Sequence, residues 1–376
     1  MDRRFSTIQA FFKLKNDSID GSQILLLKKE WRTEQLMKHS FKNDYSEIAH
    51  PKVLQALTDI GLKQFEGYGL DEHSKKAAEI IREKISAPGA DVHFIGGGTH
   101  ANLVVISSAL RDFEAVISVE SGHIFQHETG AIEAAGHKIC TVKGNNGKLD
   151  VSDIENVVAA HEDEHMVKPR LVYISQSAEC GTIYKKAELK AISEFCKINN
   201  LYLYLDGARL GTALNSPSCD LSYSDISTLT DAFYIGGTKN GALFGEAIII
   251  CSDELKRDFR YYMKQRGALM AKGAVIGAQF CALFENGLYD KLAQHANAMA
   301  KKIADGVISA GYSLMYPQQT NLIIPVFPSE FVSKLHGEYG FYDWSKSEGK
   351  TAIRILTSWA TKDSDVDEFI KTIQGL

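Results

Sequence analysis

From about residue 90 the chain alternates short, continuously apolar runs with longer stretches in which apolar residues recur every three to four positions. "HFIG" precedes the helix-compatible "THANLVVISSAL", and "RLVYISQ" leads through a glycine-containing loop into "KKAELKAISEFCKIN". In the second of these helical stretches Leu189, Ile192, Phe195 and Cys196 share one face, as the helical period requires. "LYLYLD", "AFYIGG" and "EAIIIC" are further runs of strand length. Strands apolar on both faces and separated by helices predict a mostly parallel sheet covered on both sides. After "GAVIGAQFCALFENG" the texture changes. Leu288 to about Ala310 reads as one long amphipathic helix, followed by short strands around "NLIIPVF" and "AIRILT" and a final helix near Asp363–Ile373. The pattern predicts an α/β protein in three parts: an N-terminal extension over residues 1–40, a large domain over 41–287 and a smaller C-terminal α+β domain over 288–376.

Composition leaves this picture intact and removes several functions from it. With 376 residues, 44% of them hydrophobic and 24% charged, the chain can bury one large core and a smaller one. A formal net charge of −5 argues against a general binder of nucleic acid or anionic membrane. No apolar run approaches the roughly 20 residues of a membrane span. The six cysteines form no C-x-x-C pair and read as reduced, mostly buried thiols of a cytoplasmic protein, with Cys180 a small loop residue. At the start of the chain, Arg3 and Arg4 precede a Phe11–Phe12 pair too brief for a secretory core. Asp2, Asp17 and Asp20 weaken a mitochondrial presequence.

In an open parallel sheet, ligands gather beyond the carboxyl ends of the strands. At those ends the sequence carries Gly96-Gly97-Gly98-Thr99, Ser177-Ala178-Glu179, Asp206-Gly207-Ala208-Arg209 and Thr238-Lys239-Asn240-Gly241. An anion-binding loop, acids, an arginine and a lysine should therefore meet in one crevice. Two cofactors compete for it. Gly96, Gly98 and Ala101 satisfy the dinucleotide pattern G-x-G-x-x-A, with Glu120 where a ribose-binding acid would be sought. A nicotinamide site gives Asp206 and Lys239 no task. Pyridoxal 5'-phosphate uses both. Its phosphate suits a helix N-terminus, its aldehyde needs a lysine, and its ring nitrogen needs a carboxylate to stay protonated.

"GGGTHANL", "SGHIFQHETGA", "LYLDGARLGTAL", "GGTKNGALFGEA" and "AIRILT" resemble successive signatures of the L-threonine aldolase and β-eliminating lyase family. Its members are pyridoxal-phosphate enzymes of the aspartate aminotransferase-like fold, fold type I. The resemblance runs from "FKNDYSEIAHPKVLQAL" (Phe41–Leu57) to the C-terminus. It implies that Lys239 forms the Schiff base, that Asp206 pairs with the ring nitrogen, and that Gly98, Thr99 and His100 hold the phosphate. His123 would stack on the ring with Glu128 supporting it. Arg209 would sit beside cofactor and substrate, and Arg354 would clamp the substrate carboxylate. Asn43 or Asp44 would approach the substrate, and Lys272 would reach a phosphate across a subunit interface. A homo-oligomer with shared sites, dimer or tetramer, follows. No metal ligands are assigned. The implied reaction is cleavage of L-threonine, L-allo-threonine or a related β-hydroxy-α-amino acid to glycine and an aldehyde, with β-elimination from another amino acid as the alternative. Well-known members carry a histidine after the third of these strands, where this chain has Glu179. Glu179, His123 or a water between them would then take the hydroxyl proton. Tyr202 and Tyr204 read as sheet core and His127 as structural.

Overall fold

The computed structural model describes residues 38–375, so the readings of the N-terminal extension up to residue 37 lie outside the described residues. The apolar runs form a seven-stranded sheet. In chain order its strands are β1 (Asp91–Ile95), β2 (Glu114–Val119), β3 (Ile139–Val142), β4 (Lys168–Ser175), β5 (Tyr202–Asp206), β6 (Ala232–Gly236) and β7 (Glu246–Ile250). They lie in the order β1-β7-β6-β5-β4-β2-β3. Only β7 runs against its neighbours, pairing antiparallel with both β1 and β6. The cause is the short connection 237–245, which cannot accommodate the crossover of a dozen or more residues that a parallel return demands. The mostly parallel sheet expected from the apolar runs is thus present. β2 and β3 were not anticipated.

Alternation along the strands separates two cores. Val172, Leu203, Phe233 and Ile249 face one side, while Leu171, Tyr173, Tyr202, Tyr204, Tyr234 and Ile248 face the other. Helix α1 (Gly98–Ala109) covers the tyrosine side through Ala101, Val104 and Val105. Tyr173 stands opposite Tyr204 in the ladder, and Asp206 follows Tyr204 by two residues on the same face. A row of phenols therefore leads to the acid at the strand end.

The C-terminal part packs helix α2 (Leu288–Ser309) and helix α3 (Asp363–Gln374) on a five-stranded antiparallel sheet. Ile303, Val307, Phe327, Ile353 and Phe369 form its core. Phe41 belongs to this core, and His39–Ser40 pairs in parallel with Tyr339–Gly340. The early chain is thereby anchored on the C-terminal layer, and Asp44 lies just beyond that anchor. Among the described residues no helix is long and apolar enough to cross a membrane.

Candidate active site

The edge formed by the ends of β1, β4, β5 and β6 carries the polar loops. After β1 the chain turns at Gly97, which is extended, and enters α1 at Gly98 with no side-chain cap. The first helical bond runs from the Ala101 N–H to the Gly97 carbonyl (3.0 Å), so the amides of Gly98, Thr99 and His100 have no helical partner. Thr99 and His100 are exposed. A Cβ at position 98 would stand 3.0 Å from the Tyr234 hydroxyl, so a side chain there would press the helix start away from the sheet. Free amides on a helix N-terminus fit a phosphate.

Asp206 lies beneath this helix start, buried, and its carboxylate is saturated with donors. Oδ2 accepts the Tyr173 hydroxyl (2.6 Å) and the Asn102 amide (3.1 Å); Oδ1 accepts the Ala208 N–H (3.0 Å) and the Tyr234 hydroxyl. Burial opposes its charge. The nearby His123, with the two phenols and the Ala208 amide, outweighs burial and holds the carboxyl below its ordinary range. His123 Nδ1 lies 2.9 Å from Glu128 Oε1. Desolvation works against the imidazolium, but Glu128, Asp206 and Glu179 together raise its pKa above the usual value.

Lys239 sits in the loop between β6 and β7, half-buried. That loop is pinned from within: the Gly237 N–H donates to Glu246 Oε2 (2.7 Å), and the Gly245 N–H donates to Thr238 Oγ1 (3.0 Å). Burial, then the Arg209 charge, pull the Lys239 amine down, against Asp44, Glu179 and Asp206. Arg209 makes a bidentate pair with Asp44 (Nε–Oδ2 2.7 Å, Nη2–Oδ1 3.0 Å), and Asn321 also donates to Asp44 Oδ2 (3.0 Å). Arg354 reaches Glu179 through a single long contact of 3.4 Å, and its buried Nε has no partner. Burial penalises Glu179, yet Arg209, Arg354 and Lys239 keep its carboxyl low.

The structure thus gathers Lys239, Asp206, His123, Arg209, Asp44, Glu179 and Arg354 into one charged cluster, with Gly98 reaching it through Tyr234. Asn43 is turned away: its side-chain oxygen accepts from Tyr45 N–H (3.0 Å) and Ser46 Oγ (2.9 Å), closing a local turn. Lys272 is exposed in the turn before helix Ala274–Phe284, and among the described residues no hydrogen bond or ion pair joins it to the cluster. Its neighbour Met270 lies against Gly96. Sequence reasoning missed Asn102, Tyr173, Tyr234, Asn321 and Glu246, and it placed Tyr204 only in the core, whereas the Tyr204 hydroxyl donates to Asn102 Oδ1 (2.9 Å). Two signals were present. Asn102 follows Gly98 by one helical turn and so shares its face. Tyr204 precedes Asp206 by two and so shares its side of the sheet.

A family model described as beta-eliminating lyase matches residues 59–328. A low specificity L-threonine aldolase of a Pseudomonas species (strain NCIMB 10558) is 32% identical over 338 residues, which is 89% of this chain and 96% of that protein. A solved threonine aldolase of Leishmania major superposes with a TM-score of 0.88 at 46% identity, covering 90% of this chain and 99% of that one. A serine palmitoyltransferase from S. paucimobilis with a bound PLP–myriocin aldimine gives a TM-score of 0.66 at 14% identity, over 90% of this chain and 87% of that one. At that identity the likeness is one of fold alone.

Proposed function

The chain belongs to the β-eliminating lyase family and has the type I fold of pyridoxal-phosphate enzymes, and on that footing we propose that it binds pyridoxal 5'-phosphate and cleaves L-threonine, L-allo-threonine or a related β-hydroxy-α-amino acid into glycine and an aldehyde. The observation that carries this reading is the convergence, on one sheet edge, of uncapped helix amides, a lysine and a donor-saturated aspartate. The curated relative and the Leishmania structure named above support the choice of substrate class.

In this reading the amides of Gly98, Thr99 and His100 would hold the phosphate, Lys239 would hold the cofactor through its aldehyde, and Asp206 would serve the ring nitrogen as a fixed anion. Bound there, the cofactor supplies an electron sink for the pair released when the Cα–Cβ bond breaks. Arg354 holds the substrate carboxylate: its orphaned Nε and its loose contact with Glu179 leave donors free for a second anion. Arg209, already committed to Asp44, serves as a rigid positive wall beside it. Of the two candidate bases the electrostatics favour His123. Its pKa is moved upward from the usual histidine value, which makes the neutral ring the stronger base, and Nδ1 faces Glu128, which leaves the free Nε2 of that neutral ring to take the β-hydroxyl proton. Glu179, held low, is a weaker base and serves as a hydrogen-bond acceptor for that hydroxyl. The protein acts in the cytoplasm as a homo-oligomer, with Lys272 directed at a neighbouring copy's phosphate.

The test couples the visible spectrum of the purified protein to product detection. L-threonine should yield glycine and acetaldehyde, and Lys239→Ala should lose both the lysine-bound absorption band and turnover. Keto acid and ammonia from serine, without cleavage of threonine, would replace the aldolase reading with β-elimination.

A further inference from the structure

Asn102 is completely buried and makes three side-chain hydrogen bonds, none of them to its own helix. Its single Nδ2 donates to Glu128 Oε1 at 2.7 Å and to Asp206 Oδ2 at 3.1 Å. Its Oδ1 accepts the Tyr204 hydroxyl at 2.9 Å, which fixes the orientation of the amide. The same Glu128 Oε1 also meets His123 Nδ1 at 2.9 Å, while Glu128 Oε2 has no partner. One oxygen and one nitrogen therefore link the imidazole to the acid beneath the ring position.

We propose that Asn102 is a positioning residue that ties His123 to Asp206, so that the stacking base and the ring-nitrogen partner are set by one amide. The proposal rests on the assignment of those two residues to the cofactor. The chemistry of the bridge is specific. Two carboxylates close together repel when charged, and an amide nitrogen with two protons can satisfy both at once. An aspartate at position 102 would add a third anion, and an alanine would leave both acceptors short of a donor. The Tyr204 hydroxyl polarises the amide from its far side and strengthens both N–H donors. Tyr204 and Asn102 thus act in series, one on the sheet and one on α1.

The experiment titrates the His123 imidazole by NMR in protein freed of cofactor, in wild type, Asn102→Ala and Tyr204→Phe. The groups facing that ring are Glu128, Asp206, Glu179 and His127. Losing the bridge makes the first two carboxylates hold the imidazolium more tightly, so the midpoint moves up by about half a unit in Asn102→Ala and less in Tyr204→Phe. Water admitted into the Asn102→Ala gap relieves desolvation and screens the carboxylates at once, so Tyr204→Phe, which opens no such gap, carries the direction of the shift. Pyridoxal phosphate added back should bind about tenfold more weakly to Asn102→Ala. If Asn102→Ala fails to fold, the near-isosteric Tyr204→Phe still reports the direction. An unmoved or lowered midpoint in Tyr204→Phe overturns the coupling. A wild-type protein that takes up no pyridoxal phosphate overturns the functional reading and the cofactor half of this one, whereas the imidazole shift decides the coupling by itself.

Discussion

Asp206 and Glu246 are buried at the same edge of the same sheet, one ending β5 and the other opening β7, yet their carboxyls move in opposite directions. Burial pushes both upward. At Glu246 it prevails: the Gly237 N–H (2.7 Å), the Thr238 hydroxyl and the Lys239 charge do not compensate, and the carboxyl is pushed up to about 7. At Asp206 the His123 charge, two phenols and a backbone amide reverse the sign. Dehydration is common to both positions, so the donors are what differ. Those donors come from the tyrosine row on β4 and β6 and from the start of α1. The edge therefore holds one acid built to remain an anion and one that changes charge near pH 7.

The largest expected effect lies in removing the anion. Asp206→Asn keeps the shape and deletes the charge, and kcat for threonine cleavage should fall roughly 10²- to 10³-fold, the usual consequence of losing one preorganised electrostatic partner. Glu246→Gln deletes a carboxyl that is already largely protonated near pH 6.5, and there it should stay within about threefold of wild type. Steady-state rates on the three proteins with bound pyridoxal phosphate make the comparison. Equal losses in both variants would break it.

How much of this could be read in advance follows from the same contrast. The sheet was legible because strands buried on both faces admit almost no polar residue, so "LYLYLD" and "AFYIGG" announce themselves and an acid or lysine at their ends stands out. The meeting of Lys239, Asp206 and Arg209 on one edge was legible for that reason, whereas Arg354, on the C-terminal sheet, was implied only by the family resemblance. The direction of β7 was hidden in the length of a loop rather than in its apolar pattern. Asn102, Tyr173 and Tyr234 were not legible as site residues, because each looks like an ordinary occupant of a helix or a strand. Their meaning comes from partners at positions 128, 204 and 206, which only the folded topology brings near. Glu246 read as no more than the first residue of "EAIIIC".

A smaller effect concerns stability. Glu246 has a folded-state pKa raised from an ordinary 4.5 to about 7. The stability it contributes is therefore complete below about pH 4.5 and is lost as pH climbs through about 7. The loss is on the order of 2–3 kcal/mol over that window. Gln at this position keeps an acceptor for the Gly237 N–H without the charge. Urea unfolding at pH 5 and pH 8 should show wild type losing stability relative to Glu246→Gln by about that amount. A constant difference between the two proteins at both pH values would mean that burial does not govern this carboxyl.

The smallest effect tests the donors at Asp206 one at a time. Tyr173→Phe removes one hydroxyl from Oδ2 and leaves the ring in the core. A hydrogen bond to a charged group contributes about 1.5–3 kcal/mol, so the Asp206 pKa should rise by roughly one unit. Its depressed value means that its stabilising effect is present above the unfolded carboxyl pKa and is lost as pH falls through the folded one. With a weaker depression, that loss is smaller and is complete at a higher pH. Carbon-detected NMR titration of the Asp206 carboxyl should show that upward shift of about one unit directly. Tyr202→Phe is the matched control, since Tyr202 lies on the same face at the opposite end of β5, against Arg170. An Asp206 titration that moved equally in both variants would trace the change to general loosening of the tyrosine core, and the phenol donors would lose their claim on the charge of Asp206.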